Sequence, residues 1–280
     1  MTNNILVIGA TGKTGRKVVA GLRKRNQNVR LGARSSQPAF DWDNRSTWTK
    51  ALEGMEKVYV VYYPDLAVPG AYEAIKELTQ KAKDAGVKKI VLLSGKGEKE
   101  AERCEQLVAQ SGMDYTLVRA SWFNQNFSES FLLDPILAGH VALPMPDAKI
   151  PFVDTTDIAD VVVEALLNDD HNGMTYEVTG PRLLSFKDIV DEIALATNRN
   201  IQYEAVSLEQ YNGMMKAAGL PSDYIWLFDY LFREVLGNPH NHVVSKDVNK
   251  ILGRNATDFR QYAKEMAASG IWNQNIPQSI

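Results

Sequence analysis

The chain has 280 residues, of which 45% are hydrophobic and 23% charged, with a formal net charge of −3. This composition supports a large buried core and offers nucleic acid no broad electrostatic attraction, so no nucleic-acid partner is expected. A single cysteine, Cys104, excludes an intrachain disulfide and a cysteine-rich zinc site; no apolar run reaches the length of a bilayer span, and Met-Thr-Asn-Asn has no basic stretch followed by an apolar one, which makes the cytoplasm the expected location and a membrane role unexpected.

Taken in chain order, residues 5–8 form a short β-branched apolar run and predict a first strand. A glycine-rich turn, Gly9 to Gly15, leads into a helix with Val18, Val19 and Leu22 on one face. Strands follow at 29–33 and 58–62, the second entered through the helix end Leu52-Glu53-Gly54. A helix over 71–85 stops at Gly86, a strand covers 89–93, a helix 98–110 and a strand 115–118. This alternation predicts an α/β fold, a doubly wound parallel sheet with helices on both faces and right-handed crossovers. The rhythm loosens after Arg119. A helix over 158–167 returns to the sheet, and 176–179 reads as a late strand. Beyond Pro181 the pattern is mostly helical, at 185–197, 208–218, 224–236 and 258–268. The expected organisation is a Rossmann-like domain over 1–180, with an excursion at about 128–150, and a smaller, mostly helical domain over 181–280.

Gly9, Gly12 and Gly15 have the spacing Gly-x-x-Gly-x-x-Gly between the first strand and the first helix, where a dinucleotide-binding turn belongs. Gly9 permits the tight turn, Gly12 lets backbone approach the pyrophosphate, and Gly15 allows close packing of helix on sheet. The helix N-terminus offers free N–H groups to the phosphates, with Thr11, Lys13 and Thr14 adding hydroxyls and a charge nearby. A tight structural turn is the plain alternative. Gly12-Lys13-Thr14 matches the end of a Walker A loop, but Val7 stands where that motif needs a glycine.

NAD-binding folds carry Asp or Glu at the end of the second strand to hold the ribose 2′-hydroxyl. Here the stretch is Gly32-Ala33-Arg34-Ser35-Ser36, with a guanidinium, two hydroxyls and no carboxylate. That set suits a 2′-phosphate, so NADP(H) is the expected cofactor and NAD(H) the secondary one. Asp41 and Trp42 follow at a third strand end, where they line the adenine pocket, or else Asp41 or Asn44 caps the helix that follows.

The Gly9–Gly15 turn, the Arg34 turn, Val118-Arg119-Ala120-Ser121-Trp122-Phe123-Asn124-Gln125-Asn126-Phe127 and residues 152–159 together resemble the NmrA-like atypical short-chain dehydrogenase/reductases. The resemblance runs over nearly the whole chain, including residues 244–248 and 254–262. Phe40-Asp41-Trp42 and residues 64–70 resemble in particular the festuclavine/agroclavine dehydrogenase branch. The resemblance implies a Rossmann-like domain with a smaller C-terminal domain and the nicotinamide in the cleft between them. Cofactor contacts are implied on the glycine turn, on Arg34 and near Tyr62 and Ser94. It covers reductases of quinones, dyes or iminium compounds, and also redox sensors that bind dinucleotide without catalysis.

Most short-chain dehydrogenases place Tyr-x-x-x-Lys in the helix after the strand that ends at Ser94; the tyrosine gives a proton to the substrate oxygen. Aligning residues 105–108 with that helix puts Gly97 and Ala101 at those two positions, and Lys96 is out of register. No catalytic residue is assigned on this basis. A quinone accepts hydride to give a delocalised phenolate, and an iminium ion becomes a neutral amine with no added proton, so such flat acceptors need mainly orientation.

Substrate-side candidates are Tyr63, Lys96, Trp122, Phe123 and Asn124. Tyr62 and Tyr63 lie just past a strand's C-terminal end, where ligands of open sheets bind, or serve interdomain packing. Ser94 either bonds to ligand or caps a helix, and Asn124 either meets ligand or braces its loop. Asp154 and Asp157 form an acid pair only if Asp157 is not a cap or brace. No metal site is expected: His240 and His242 read as a solvated loop. The aromatics Tyr224, Trp226, Phe228, Tyr230 and Phe232 suit core, a lid or a homodimer contact. The resulting reading is an NADPH-dependent reductase of a small, flat, conjugated or iminium acceptor; the alternative is a non-catalytic sensor acting through a protein partner.

Overall fold

The computed structural model describes residues 3–273. Its elements, in order, are β1 (Asn4–Ile8), α1 (Gly15–Lys24), β2 (Asn28–Gly32), α2 (Trp48–Leu52), β3 (Lys57–Val60), α3 (Ala71–Asp84), β4 (Lys89–Gly95), α4 (Lys99–Ala109), β5 (Asp114–Ala120), α5 (Leu133–Ala138), β6 (His140–Leu143), α6 (Thr155–Leu167), β7 (Met174–Val178), α7 (Phe186–Thr197), β8 (Gln202–Ala205), α8 (Leu208–Ala217), α9 (Ser222–Tyr230), α10 (Asp247–Leu252) and α11 (Phe259–Ser269).

By contact, the chain divides into two compact units. The first comprises the residues up to Ala120, Thr155–Val178 and Asp247–Arg254; the second comprises Ser121–Asp154, Thr179–Lys246 and the residues from Asn255 on. In this division the second unit takes in Ser121–Asp154, and residues 247–254 return to the first. A physical reason for that return is visible at Arg254. Its guanidinium lies 2.6 Å from the Asp157 carboxylate and 2.6 Å from that of Asp160, which ties the end of α10 to the first turns of α6.

The first unit is a six-stranded sheet in the order β2-β1-β3-β4-β5-β7, parallel throughout. Its strands are continuous apolar runs because helices cover both faces: Ile5, Leu6, Val7, Val58, Val91 and Leu92 are all buried. Helix α1 packs on α6, which also meets β3, β4 and β5, while α3 packs on α2 and α4. The order reverses at β1, with β2 on one side and β3 on the other. That reversal is the point at which open α/β sheets bind ligands beyond their C-terminal strand ends.

The second unit is mostly helical, but it holds a two-stranded parallel sheet, β6 with β8, that the sequence pattern did not announce. Its core is aromatic: Phe127, Phe152, Phe186, Phe232, Phe259, Tyr262 and Trp272 are buried together. The helix expected over 224–236 runs as α9 to Tyr230 and then widens into a π-helical turn, Leu231–Leu236. Its aromatics divide accordingly. Phe228 and Phe232 enter the core, while Trp226 stacks on Tyr230 and stays partly exposed.

Replacing Arg254 with Ala should leave the fully buried Asp157 without its guanidinium. An expected loss of about 2 kcal/mol or more would appear as a melting temperature several degrees lower. An unchanged melting temperature would show that the tie between α10 and α6 contributes nothing to the first unit.

Candidate functional site

The glycine turn joins β1 to α1 under a tight steric constraint. Gly9 has φ +71 and donates its N–H to the Gly32 carbonyl at 2.9 Å. A methyl carbon placed on Gly15 would overlap the Gly9 carbonyl, and one on Gly9 would overlap the Val61 side chain. Both positions therefore admit only glycine. Gly12 bonds its N–H to the Gly9 carbonyl at 2.9 Å, closing the turn, and faces outward with Thr11. The Gly15 N–H has no acceptor among the described residues, so the opening turn of α1 presents an unsatisfied donor with the positive end of the helix dipole. Thr14 is buried, and its hydroxyl accepts from the Tyr59 phenol at 2.9 Å. That side chain anchors the turn to β3. The bond was not readable from the motif, because Tyr59 lies 45 residues away.

Beyond β2 the chain makes a tied loop. The Ser36 hydroxyl accepts from the Ala33 N–H at 3.1 Å and lies 2.7 Å from the Ala33 carbonyl, and the Phe40 N–H bonds the same carbonyl at 3.0 Å. Arg34 and Ser35 are held exposed on this loop, and Arg34 has no partner among the described residues. Asp41 is not at a strand end but in an isolated bridge with Asn44. Its carboxylate accepts from the Asp43 N–H at 3.1 Å, and Asn44 caps the short 3-10 turn that precedes α2. Trp42 donates to the Val61 carbonyl at 3.2 Å and meets the Tyr62 ring edgewise at 4.7 Å, so it fixes the segment after β2 against the end of β3. Tyr62 is half-buried, which raises its phenol above the ordinary value.

At the end of β4, Ser94 is buried and its hydroxyl has no partner; it does not cap α4. Lys96 is also buried, with its backbone N–H on the Ala120 carbonyl and its ammonium 3.4 Å from Glu177 on β7. Tyr63, by contrast, is strongly exposed. Gly97 has φ +80 and Ala101 is buried in α4, so neither offers a proton donor.

In the second unit, Phe123 bridges to Val153, and the Asn124 N–H donates to the Val153 carbonyl at 2.8 Å. The bracing is done by backbone and by Gln125, whose amide donates to Asp154 at 3.0 Å. The Asn124 side chain is completely buried, yet neither of its amide atoms has a partner. Trp122 packs among Phe131, Phe186 and Phe232 while its indole N–H is likewise unpaired. Asp154 accepts from the Gln125 amide, and Asp157 pairs with Arg254. No group of metal-ligating side chains occurs among the described residues. Cys104 is buried, which pushes its thiol up to about 12 and makes it unreactive.

The sequence profile of the NmrA-like family matches residues 1–262. Over 282 residues the chain is 29% identical to the prestalk A differentiation protein A of Dictyostelium discoideum, covering 94% of this chain and 92% of that protein. It is 31% identical to an NAD(P)H azoreductase of Xenophilus azovorans, covering 95% and 98%. Among solved structures, an NADPH-dependent quinone oxidoreductase of Escherichia coli complexed with NADPH has the same fold, with a TM-score of 0.76 at 22% identity over 94% of this chain and 99% of that one.

Gly15→Ala should force β1 and α1 apart, with an expected loss of about 1–3 kcal/mol. Tyr59→Phe should cost about 1 kcal/mol through the lost bond to Thr14. Thermal unfolding of both variants checks the ranking; a Gly15→Ala variant as stable as the parent would refute the close approach.

Proposed function

Because the chain belongs to the NmrA-like family, we propose that it is an NADPH-dependent reductase of small, flat acceptors such as quinones, azo dyes or cyclic iminium ions. The observation that carries this reading is Arg34, exposed at the end of β2 with no partner among the described residues and no carboxylate beside it in the loop. A ribose 2′-phosphate supplies the bidentate oxygen pair that a guanidinium lacks here. The glycine turn fits the pyrophosphate for the reasons of space and unsatisfied N–H already described.

A nicotinamide dinucleotide held by the glycine turn and Arg34 would supply the hydride. The chain's own contribution is binding and orientation. In the first unit the buried Ser94 hydroxyl has no partner, and in the second the Trp122 indole N–H and the Asn124 amide have none; such groups recover their desolvation cost when a ligand bonds to them. Trp42 and Tyr62 give the strand edge an aromatic wall. The azoreductase relative supports an acceptor of the conjugated kind. Tyr63 is a substrate-side group on this reading, and Lys96 acts through its pairing with Glu177.

The test is oxidation of NADPH and NADH against a panel of quinones, azo dyes and cyclic imines, with cofactor affinity measured by calorimetry. Turnover with NADPH is expected; tight binding without turnover of any acceptor would replace the reductase by a dinucleotide sensor that acts through a protein partner. Arg34→Ala should weaken NADPH binding by about tenfold to a hundredfold, as loss of a charge-assisted pair of about 1.5–3 kcal/mol implies, and should leave NADH binding nearly as it was. Equal losses for both cofactors would remove Arg34 from the 2′-phosphate site.

A further inference from the structure

Two serines follow Arg34, and the structure gives them different places. Ser35 is exposed beside Arg34, whereas Ser36 turns into the loop and is partly buried. The Ser36 hydroxyl oxygen accepts from the Ala33 N–H at 3.1 Å. Its single proton has two carbonyls in reach, that of Ala33 at 2.7 Å and that of Pro38 at 3.0 Å. The Ala33 carbonyl also takes the backbone N–H groups of Ser36 at 3.1 Å and of Phe40 at 3.0 Å. One side chain thus joins the entrance of the loop at residue 33 to its exit at residue 38. Phe40, just beyond, is buried and stacks on Trp48 with ring centroids 5.7 Å apart. A cavity of about 340 Å³ is lined by Ser36 and Gln37 together with Val29, Arg30, Leu31 and Met55. On that side, hydrogen bonds rather than packed side chains hold the loop.

The same corner is tied to the glycine turn. The Gly32 carbonyl accepts the Gly9 N–H at 2.9 Å and the Ala10 N–H at 3.4 Å. A methyl carbon on Gly32 would lie 2.9 Å from the Ile8 backbone, so the end of β2 sits close against β1. Residue 32 therefore meets the phosphate turn while residue 33 is held by Ser36. We propose that Ser36 is a positioning residue for cofactor choice: its hydroxyl fixes the Arg34 loop relative to the glycine turn, so that a ribose 2′-phosphate meets an arginine already in place. The role rests on the reading of Arg34 as the 2′-phosphate ligand and names the group that orders it. A loop that must be ordered on binding subtracts that cost from affinity, and a loop ordered beforehand does not. Ser36 is not itself a phosphate ligand. A phosphate dianion offers only acceptors, and the one proton of the Ser36 hydroxyl is spent on a carbonyl of its own loop. The exposed Ser35 has no such bond among the described residues, which leaves its proton for a ligand.

The experiment uses the full chain and measures NADPH and NADH affinity by calorimetry for the parent, Ser36→Ala, Ser36→Thr, Arg34→Ala and the Arg34→Ala/Ser36→Ala double variant. Ser36→Ala should weaken NADPH binding about threefold to tenfold, the scale of one lost intramolecular hydrogen bond, and leave NADH binding nearly as it was. Ser36→Thr keeps the hydroxyl and should restore most of the NADPH affinity. Once Arg34 is replaced, Ser36→Ala should weaken NADPH binding by less than about twofold, because the group it positions is gone. If Ser36→Ala does not fold, Ser36→Cys, which keeps the volume but offers only a weak S–H donor, is held to the same outcomes. Equal losses for NADPH and NADH would overturn the proposal, since a general loosening of the fold moves both together. So would a Ser36→Ala effect that persists undiminished without Arg34, or a Ser36→Thr variant as weak as Ser36→Ala. A parent preference for NADPH that depends on Arg34 but is untouched by Ser36→Ala removes the role of Ser36 alone. A parent with no such preference removes the 2′-phosphate reading, and with it anything for Ser36 to position.

Discussion

The close approach of α1 to β1 is the constraint on which the first unit is built. A side chain at Gly15 would meet the Gly9 carbonyl, so the helix can lie against the strand only with both glycines in place. That contact brings the N-terminus of α1 to the C-terminal edge of the sheet, at the strand where the order reverses. The position is then fixed from the far side by the Tyr59–Thr14 bond, which fastens the turn to the neighbouring strand. Anion binding there needs no added cation from the turn itself, because the unsatisfied N–H groups and the helix dipole already supply a positive end.

Charge in this unit is managed in two distinct ways, and the difference says which groups are available to a ligand. Lys96, Arg119 and Arg254 are each neutralised by a carboxylate partner, on β7, α4 and α6 respectively. Arg34 has no such partner: its loop is tied down by Ser36 while its guanidinium faces water. An exposed, unpaired arginine is ordinary on a protein surface. What makes this one informative is its rigid support at a strand end that, in an NAD-selective fold, would carry a carboxylate.

Local signals made the sheet legible. Apolar runs of four or five residues, punctuated by Gly9, Gly86 and the helix periodicity between them, were enough to predict the strand and helix alternation of the first unit and its phosphate turn. The pairing of β6 with β8 was not legible, because each strand has only four residues and the two lie far apart in the chain. Arg254 with Asp157 was hidden for the same reason: the two join segments with no shared local pattern. Asp41 differs from its expected place: it lies in an isolated bridge with Asn44 rather than at a strand end, and its carboxylate accepts from the Asp43 N–H. Motif reading finds residues that act through backbone position, such as Gly9 and Gly15, and misses those that act through a partner distant in sequence.

The distribution of unpaired buried polar atoms adds a constraint that neither motif nor fold supplies. Among the described residues, most such side-chain atoms belong to Ser94, Glu98, Trp122 and Asn124, on the segments that follow or end β4 and β5. Each unpaired group costs about 1–3 kcal/mol, and an apolar residue of similar shape would avoid that cost. Asn124 is the sharpest case, since its backbone already secures the loop through Val153 and its amide does nothing further for the fold. On the proposed reading, a ligand of the first unit would complete the hydrogen bond of Ser94, and a ligand of the second unit those of Trp122 and Asn124. Arg34, by contrast, speaks on that reading only to the cofactor's phosphate.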